Sequence, residues 1–236
     1  MKILVTAGAT MVMIDQVRAI TNIFKGQTGT EIAYHLAHED GHDVTLVASD
    51  QGVVDRVEKP WRDEDSWNGP YCFTAPKYPT VIYYQTFGEL ASIMEREIRT
   101  GNYDVVIHSA AVSDYKVDYI ETATPFGEGS VKRENKISSG YDNLILRLVP
   151  TFKIVDKIRS EWGFTGKLVK FKLQVGISEA ELVRIAMKSR EDSDADFIVA
   201  NCLEWANQYA LVVGRDNIVE RVTRQALLEA IERRLS

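Results

Sequence analysis

The sequence predicts an α/β protein with a three-layer, Rossmann-like fold, in which a mostly parallel sheet carries helices on both faces. Short apolar runs typical of buried strands alternate along the chain with segments of helical periodicity. The first run, residues 2–8, leads through small turn residues into an amphipathic helix, as in nucleotide-binding sheets of this class. With 236 residues, the chain is predicted to form a single domain over residues 1–236 with a complete core.

The first half of the chain contains four predicted strands and two predicted helices. The first helix is predicted to begin near Thr28, because Thr28 and Glu31 have the spacing of a capping box, and to end at Gly41. Residues 51–79 hold four prolines among many charged residues, which predicts an irregular surface excursion. The remaining elements are a strand at 43–49, a strand at 80–84, a helix at 87–99 and a strand at 104–110.

The second half continues this alternation after a segment of different composition. Residues 116–138 are rich in charge, glycine and threonine, which predicts a mobile flap. Pro150 suits the first turn of a helix, and Ser178 with Glu181 has the spacing of a second capping box. The predicted elements are a strand at 144–149, a helix at 150–162, a strand at 167–174, a helix at 178–189, a strand at 196–202, a hairpin of 209–214 with 218–222, and a helix at 223–235.

Small and polar residues follow several predicted strands at the points where the strands end. In parallel sheets, ligands bind beyond the carboxyl ends of the strands, so these residues are expected to share one edge. Glycines at the N-terminus of a helix allow backbone N–H groups to approach phosphate. The residues concerned are Gly8, Arg18, Asn22, Gly26, Gly29, residues 110–115, Phe171, Lys172 and Asn201. The sequence therefore predicts a nucleotide site with additional polar chemistry at this edge.

Composition and charge exclude several other classes of function. A formal net charge of −6 gives no general attraction to nucleic acids or anionic membranes. No apolar run approaches the roughly 20 residues that cross a bilayer, and no secretory signal pattern precedes the first strand. Cys72 and Cys202 are far apart and indicate neither a metal site nor a disulfide. We expect a cytoplasmic protein without a resident metal site, in which His35 and His38 lie on the exposed polar face of one helix.

Seven short motifs occur in an order typical of one enzyme family. They are residues 5–8 (VTAG), 14–22 (IDQVRAITN), 26–29 (GQTG), 110–115 (AAVSDY), 136–139 (KISS), 171–173 (FKL) and 195–201 (ADFIVAN). Together they resemble the phosphopantothenate–cysteine ligases, also called phosphopantothenoylcysteine synthetases. The resemblance extends from residue 1 to about residue 204, and the chain length is similar to that of the stand-alone ligases rather than of fusions with a flavin decarboxylase.

The resemblance implies a role in coenzyme A biosynthesis, in which 4′-phosphopantothenate is joined to cysteine through an acyl-nucleotidylate. It implies a nucleoside triphosphate, with CTP favoured over ATP, Mg²⁺ on the triphosphate, and a homodimer that completes the substrate site across its interface. The family's catalytic residues correspond to Asn22, Lys136 and Arg18. Its substrate-binding residues correspond to Asn22, Ala110, Ala111 and Asp114, and its nucleotide-binding residues to Gly8, Gly26, Gly29, Phe171 and Asn201.

The chain departs from the family pattern within the phosphate loop. Ala9 stands where the family has a second glycine, and Phe24 with Lys25 replaces a pair of serines, which removes a hydroxyl group expected to bind phosphate. Lys25 offers a point charge in its place. Two alternatives therefore stay open. One is an NAD(P)-dependent Rossmann-like oxidoreductase, although its Gly-x-Gly-x-x-Gly fingerprint is absent, and the other is a diverged nucleotide-binding protein without catalytic activity.

Overall fold

Thirteen strands and six helices make up the part of the chain that the computed structural model describes, which is residues 1–67, 77–124, 127–131 and 136–235. The strands are β1 (Lys2–Ala7), β2 (Met11–Met13), β3 (Ala19–Thr21), β4 (Asp43–Ala48), β5 (Thr80–Tyr83), β6 (Val105–His108), β7 (Tyr115–Thr124), β8 (Gly127–Val131), β9 (Asn143–Pro150), β10 (Lys167–Gln174), β11 (Phe197–Cys202), β12 (Tyr209–Gly214) and β13 (Val219–Thr223). The helices are α1 (Gln27–His38), α2 (Gln51–Trp67), α3 (Phe87–Thr100), α4 (Ile154–Ser160), α5 (Glu179–Asp192) and α6 (Leu227–Leu235). Among the described helices, none has both the length and the hydrophobicity needed to cross a bilayer.

Eight of the strands form one central sheet in the order β5-β4-β1-β6-β10-β11-β12-β13. The strands from β5 to β11 are parallel, and β12 and β13 are added antiparallel at one edge. After β1 the chain builds outward through β4 and β5, and then returns to place β6 on the other side of β1. The carboxyl ends of β1 and β6 therefore form the switch point where sheets of this class bind ligands. The predicted fold class, with its mostly parallel sheet, is confirmed.

Helices cover both faces of the central sheet, as predicted. On one face, α1, α2 and α6 pack over alternate strand residues such as Ile3 and Val5. On the other face, α3 and α4 pack over Leu4, and α5 covers Ile198 and Ala200 of β11. The alternation follows from the pleat of a strand, which sends successive side chains to opposite faces. Burial on both faces explains why the central strands are nearly continuous apolar runs.

Two smaller sheets are connected to the carboxyl ends of β1 and β6. β2 and β3 form a hairpin after β1, and β8, β7 and β9 form a three-stranded antiparallel sheet after β6. Val12, Val117, Ile120 and Ile137 are buried together and join these two sheets. We call these four residues the satellite core, because they form a cluster separate from those that hold the central sheet together.

The prediction of an irregular excursion over residues 51–79 is wrong for its first part, which forms helix α2. Val53, Val54 and Val57 lie on one side of this helix and are buried in the core beside α1. Their burial outweighs the weak helix propensity of a segment with a proline and many charges. Pro60 lies inside α2, where it removes one backbone hydrogen bond. Residues 68–76, which include Cys72, lie outside the described ranges.

Residues 116–138, predicted as a mobile flap, contain regular structure where they are described. β7 and β8 pair with each other, and β7 also pairs along its length with β9. Their composition gave no strand signal, but Val117 and Ile120 are buried in the satellite core and hold the segment in place. Residues 125–126 and 132–135 lie outside the described ranges. The movement of the segment stays a prediction.

The start of α1 is confirmed, since this helix begins at Gln27, next to the predicted Thr28, but its predicted capping box does not form. Gly26 is the N-cap, no side chain caps the helix, and the Thr28 hydroxyl accepts a hydrogen bond from Arg224. The helix start predicted at Pro150 is wrong. Pro150 ends β9 rather than opening a helix, because its segment pairs with β7. The predicted cap of α5 is correct, since the side chain of Ser178 accepts from a backbone N–H in the first turn.

Candidate active site

Three glycines bring the end of β1 against the N-terminus of α1. Gly8 has φ +96° and Gly26 has φ +91°, a left-handed backbone that favours glycine. A Cβ on Gly26 would lie 2.1 Å from the Gly8 nitrogen, and one on Gly29 would lie 2.2 Å from the Ser109 hydroxyl oxygen, so no side chain fits at either point. We call Gly8, Gly26 and Gly29 the glycine cradle. The first N–H groups of a helix have no partner within it, and together with the helix dipole they favour an anion, as the predicted phosphate site requires.

Hydrogen bonds beyond the strand ends join the loops that leave β1, β4 and β6. The Ala111 N–H donates to the Gly8 carbonyl at 2.8 Å, and the Thr10 N–H donates to the Ala111 carbonyl at 3.2 Å. The Ala9 N–H donates to Ser49 Oγ at 2.8 Å, which adds the end of β4. Gly8 and Ala111, which the sequence placed on one edge, are thus in direct contact. An anion held at the cradle lies beside the loop that follows β6.

Asn22, predicted to hold the carboxyl group that is activated, reaches the same loop from the β2–β3 hairpin. Its side-chain amide nitrogen donates to the Ala111 carbonyl at 3.1 Å, and the residue is exposed. Ala110 is fixed next to this contact, because its N–H donates to Thr6 Oγ1 at 3.2 Å. Asp114 follows in the same loop, is exposed, and offers a carboxylate with no partner among the described residues. The residues predicted to bind substrate therefore share one stretch of surface, and their roles stay predictions.

Asp15 ties the β2–β3 hairpin to the segment that carries Lys136. Its carboxylate accepts the N–H groups of Val17 and Arg18, both at 2.8 Å, and the N–H of Ile137 at 3.0 Å. The Arg18 guanidinium pairs with the same carboxylate at 3.2 Å and donates to the Ile137 carbonyl at 3.1 Å. These backbone N–H groups, with that of Ile137 contributing most, hold the pKa of Asp15 below its usual value even though the side chain is buried. We call this set of bonds the Asp15 tether.

The Asp15 tether involves Arg18 directly and fixes the backbone next to Lys136, two of the predicted catalytic residues. Arg18 is engaged in holding Asp15 and Ile137, so the structure gives it a positioning contact. Lys136 directly precedes Ile137, is exposed, and makes no hydrogen bond or ion pair with any described residue. The backbone at Lys136 is therefore fixed, while none of the described residues engages its ammonium group. The sequence prediction contains Arg18 but not Asp15, whose importance depends on a contact 122 positions away.

Phe171 and Asn201, predicted to bind nucleotide, lie toward the carboxyl ends of β10 and β11. Phe171 is half-buried and packs against the main core. Asn201 is buried, and its side-chain oxygen has no hydrogen-bond partner among the described residues. Both share the sheet edge of the cradle, but β6 separates Phe171 from β1, and both β6 and β10 separate Asn201 from β1. The structure thus brings the three glycines together and leaves these two residues further along the edge.

The loop that departs from the family pattern contains a cation. Lys25 Nζ lies 3.3 Å from Asp50 Oδ2, and the Lys25 side chain is largely exposed. Phe24, the other replacement, is also exposed and adds no polar group. Exposed ion pairs of this kind are weak, so an incoming phosphate can compete with Asp50 for Lys25.

Arg224 is a second cation at the cradle, and sequence analysis missed it. Its guanidinium donates to Thr28 Oγ1 at 2.6 Å, in the first turn of α1. Burial lowers the pKa of Arg224 from its usual value, although an arginine side chain remains charged. Arg224 lies 196 positions from Thr28. No local pattern marks it, because only the packing of α6 beside α1 brings the two together.

His108, at the end of β6, is a buried and hydrogen-bonded histidine, as predicted. Its Nδ1 lies 2.9 Å from Thr6 Oγ1. Burial, with a smaller effect from the charge of Lys170, lowers the pKa of His108 to about 4. The imidazole is therefore neutral near pH 7, and its contacts join the ends of β1 and β6.

Comparison with known proteins decides the family. The DNA/pantothenate metabolism flavoprotein C-terminal domain family matches residues 1–59 and 67–233. The chain belongs to this family. The family resemblance found in the sequence is thereby confirmed.

Two curated relatives are similar to most of the chain. The coenzyme A biosynthesis bifunctional protein CoaBC of Thermococcus kodakarensis is 34% identical over 235 residues, which are 98% of this chain and 49% of that protein. CoaBC of Methanocaldococcus jannaschii is 24% identical over 203 residues, which are 86% of this chain and 40% of that protein. The chain therefore spans half the length, or less, of these curated relatives.

Solved structures of the family have the same fold. The DNA/pantothenate metabolism flavoprotein from Streptococcus pneumoniae is 30% identical with a TM-score of 0.77, and the match covers 100% of this chain and 98% of that one. The C-terminal domain of a CoaBC protein has a TM-score of 0.67 at 21% identity, with coverage of 99% and 93%. A mutant of Cab2 in complex with phosphopantothenate-cysteine has a TM-score of 0.65 at 17% identity, with coverage of 99% and 86%. The last two support the fold alone.

Proposed function

We propose that this family member joins 4′-phosphopantothenate to cysteine in coenzyme A biosynthesis, at the expense of a nucleoside triphosphate. The observation that carries the proposal is the arrangement of two half-sites at the switch point. One half-site is the glycine cradle, and the other is the hairpin that bears Asn22 and is tethered to the Lys136 segment. The names of the relatives agree, since one is a coenzyme A biosynthesis protein and another holds phosphopantothenate-cysteine. The expected cytoplasmic location belongs to the same proposal.

The proposed reaction has two steps. The carboxylate of 4′-phosphopantothenate attacks the α-phosphorus of the triphosphate, so that an acyl-nucleotidylate forms and pyrophosphate leaves. The amine of cysteine then attacks the acyl carbon, forms the amide and releases the nucleoside monophosphate. The first step is difficult because two anionic groups at roughly 4 Å repel each other by several kcal/mol in a partly dry site. The protein must therefore supply cations and oriented N–H donors.

Each half-site offers groups for one of the two anions. The glycine cradle and the N-terminus of α1 would hold phosphate groups, with Arg224 as a cation beside them. The amide of Asn22 would hold the carboxyl group, and the exposed ammonium group of Lys136 would offset the charge between that carboxyl and the α-phosphate. Phe171 and Asn201 would contact the nucleotide from β10 and β11.

We also propose that Mg²⁺ arrives with the triphosphate. This ion usually keeps several waters and binds through phosphate oxygens with one or two carboxylates, so it needs no cage of protein ligands. The exposed carboxylate of Asp114 and the buried side-chain oxygen of Asn201, which have no partner among the described residues, are oxygen donors on the correct edge. When bound, the ion would neutralise part of the phosphate charge.

A pyrophosphate-release assay with the full chain tests the proposal. Release is expected only when 4′-phosphopantothenate, Mg²⁺ and the correct triphosphate are present together, and parallel assays with CTP and ATP identify that nucleotide. Release that does not depend on 4′-phosphopantothenate would contradict the proposed reaction. Saturable quenching of tryptophan fluorescence by NADPH, but not by CTP or ATP, would support the oxidoreductase alternative. Nucleotide binding in calorimetry without turnover would support a diverged binding protein.

Two substitutions probe the second half-site. Lys136→Ala and Asn22→Ala should each lower the rate of pyrophosphate release by about 100-fold or more, as expected when a group that stabilises developing charge is lost. Lys116→Ala is the matched control, since Lys116 is an exposed lysine on β7 of the adjoining small sheet. Its rate should stay within about twofold of the wild-type rate. Equal rates for Lys136→Ala and Lys116→Ala would refute the assigned role.

We further propose that the chain forms a homodimer through β9 and that the dimer completes the substrate site. β9 is an edge strand of its sheet, and Leu144, Ile145 and Leu148 on it are 38%, 55% and 44% exposed. Exposed apolar residues on an edge strand are typical of an interaction surface. Ile145→Glu should produce monomers with reduced activity in sedimentation and turnover assays. Ile218→Glu, at an equally apolar exposed site beside β13, should change neither, and a monomeric wild-type chain would contradict the proposal.

A further inference from the structure

A cluster of potential metal ligands lies at the end of α1 that is opposite the glycine cradle. His35 is in the last turn of α1, Asp40 follows this helix, and Glu232 lies on α6. One ligand atom from each lies within 4.8 Å of the others, and His35 Nε2 is 4.0 Å from Glu232 Oε2. Bonds of about 2.0–2.2 Å to a shared zinc ion would place such atoms roughly 3–3.5 Å apart. Binding therefore requires side-chain rotations that shorten these separations by about 1 Å.

A second observation points to a ligand for this cluster. Asp40 Oδ2 is buried and has no hydrogen-bond partner among the described residues. A buried carboxylate oxygen in that state is unfavourable, and native proteins pair such atoms almost without exception. Two cationic groups that lie beside the neighbouring residues Gly41 and His42 have contacts other than Asp40. The Lys77 ammonium donates to the Gly41 carbonyl at 2.6 Å, and the N-terminal ammonium lies 3.4 Å from His42 Nδ1.

We propose that His35, Asp40 and Glu232 bind a divalent transition-metal ion of the zinc class, with water completing its coordination. One imidazole nitrogen with two carboxylates is a donor set that zinc accepts, whereas Mg²⁺ and Ca²⁺ prefer oxygen ligands alone. The partial burial of all three residues excludes part of the competing water. The site is independent of the proposed ligase reaction, whose Mg²⁺ belongs to the triphosphate at the other end of α1.

The ion would clamp two helices that the fold packs side by side. The bond from Arg224 to Thr28 joins the turn before α6 to α1 near the cradle, and the metal cluster joins α6 and α1 near their other ends. His35 lies partly buried beside Glu232 rather than on a fully exposed polar face as the sequence suggested. The spacing of His35 and His38 gave no metal signal, because Glu232 is 197 positions further along the chain than His35.

A titration of the full chain, freed of any histidine tag and of bound metal with EDTA, tests the site. Co²⁺ is the spectroscopic probe, since cobalt with few ligands absorbs strongly in the visible range, and Zn²⁺ should displace it at one equivalent. At a hundredfold excess over its Kd, Zn²⁺ should raise the Tm by about 5–10 °C. Equimolar Mg²⁺ should not do so, and an equal shift with Mg²⁺ would overturn the assignment to a nitrogen-binding ion.

Variants separate a specific site from general binding to surface carboxylates. Glu232→Gln keeps the shape of a partly exposed side chain and should raise the Kd for Zn²⁺ by at least about tenfold, as should His35→Gln. Glu229→Gln is the matched control, because it removes the same charge from an exposed position on the same helix. It should bind Zn²⁺ as the wild type does. Equal binding by Glu232→Gln and Glu229→Gln, or no binding by the wild type, would refute the proposal.

Discussion

Replacing Asp15 by asparagine should slow the first step of the proposed reaction without removing the fold. The carboxylate accepts three backbone N–H groups and one guanidinium bond, and its Oδ2 serves both Ile137 and Arg18. In asparagine, an amide NH₂ group at the position of Oδ2 would itself be a donor and could not accept from the Ile137 N–H or the Arg18 guanidinium. At least one charge-assisted hydrogen bond, worth about 1.5–3 kcal/mol, is then lost. Because about 1.4 kcal/mol is a factor of ten, release of the Lys136 segment should lower the rate about 10- to 100-fold.

The measurement is single-turnover pyrophosphate release, with thermal unfolding recorded on the same samples. Asp118→Asn is the matched control, since Asp118 is a half-exposed carboxylate on β7, 4.0 Å from Arg147. It should keep its rate within about twofold. If Asp15 acts through Lys136, the double variant with Lys136→Ala should be no slower than Lys136→Ala alone. Additive losses, or a full rate in Asp15→Asn, would refute the positioning role of the tether.

Three further predictions concern the cradle and the strand end beside it. Gly29→Ala should lower the free energy of unfolding in urea by about 1–3 kcal/mol, because its Cβ would lie 2.2 Å from Ser109 Oγ. Gly88→Ala in α3 is the control: no described atom lies within 4 Å of its added Cβ, so the free energy of unfolding should rise by up to about 1 kcal/mol. The pKa of His108 is about 4 in the folded state and near 6.5 in the unfolded state, so its neutral form stabilises the fold fully above about pH 6.5. This contribution, about 3 kcal/mol in total, is lost as the pH falls toward 4. A His108→Asn variant should therefore show a flatter pH profile of urea unfolding. Arg224→Gln should raise the KM for the triphosphate about tenfold in steady-state kinetics with little change in kcat, and a change in kcat alone would contradict a role in nucleotide binding.

Elements that depend on local pattern were predictable from the sequence. The strands predicted at 43–49, 104–110 and 196–202 correspond to β4, β6 and β11 with ends that differ by at most two residues. These strands are buried on both faces, so their apolar runs stand out from the flanking polar residues. α2 was not predictable in the same way, because only three valines of its described side chains are buried in the core and the rest of its sequence is charged. The small sheet over β7 and β8 depends on pairing with β9, which no local pattern reveals.

The candidate site shows the same division between local and distant contacts. Gly8, Gly26 and Gly29 lie within 22 positions of one another, and their backbone requirements are visible as glycines in the sequence. The Asp15 tether and the Arg224 contact span 122 and 196 positions. The packing of whole elements decides which of the many charged residues makes such a contact. A single sequence therefore gives no sign of these contacts. The orphaned oxygen of Asp40 belongs to the same class of feature.

The two half-sites are held in place by different amounts of apolar packing, and this difference suits the proposed chemistry. The glycine cradle is part of the central sheet, whose strands are buried on both faces by large clusters. The Lys136 segment is held by the Asp15 tether and by the satellite core, in which four of the described residues are buried. Since local opening costs less where fewer apolar contacts are broken, we expect the small sheet to separate more easily than the cradle. The flap therefore stays a prediction that regular strands do not contradict, and its opening would require the Asp15–Ile137 bond to break.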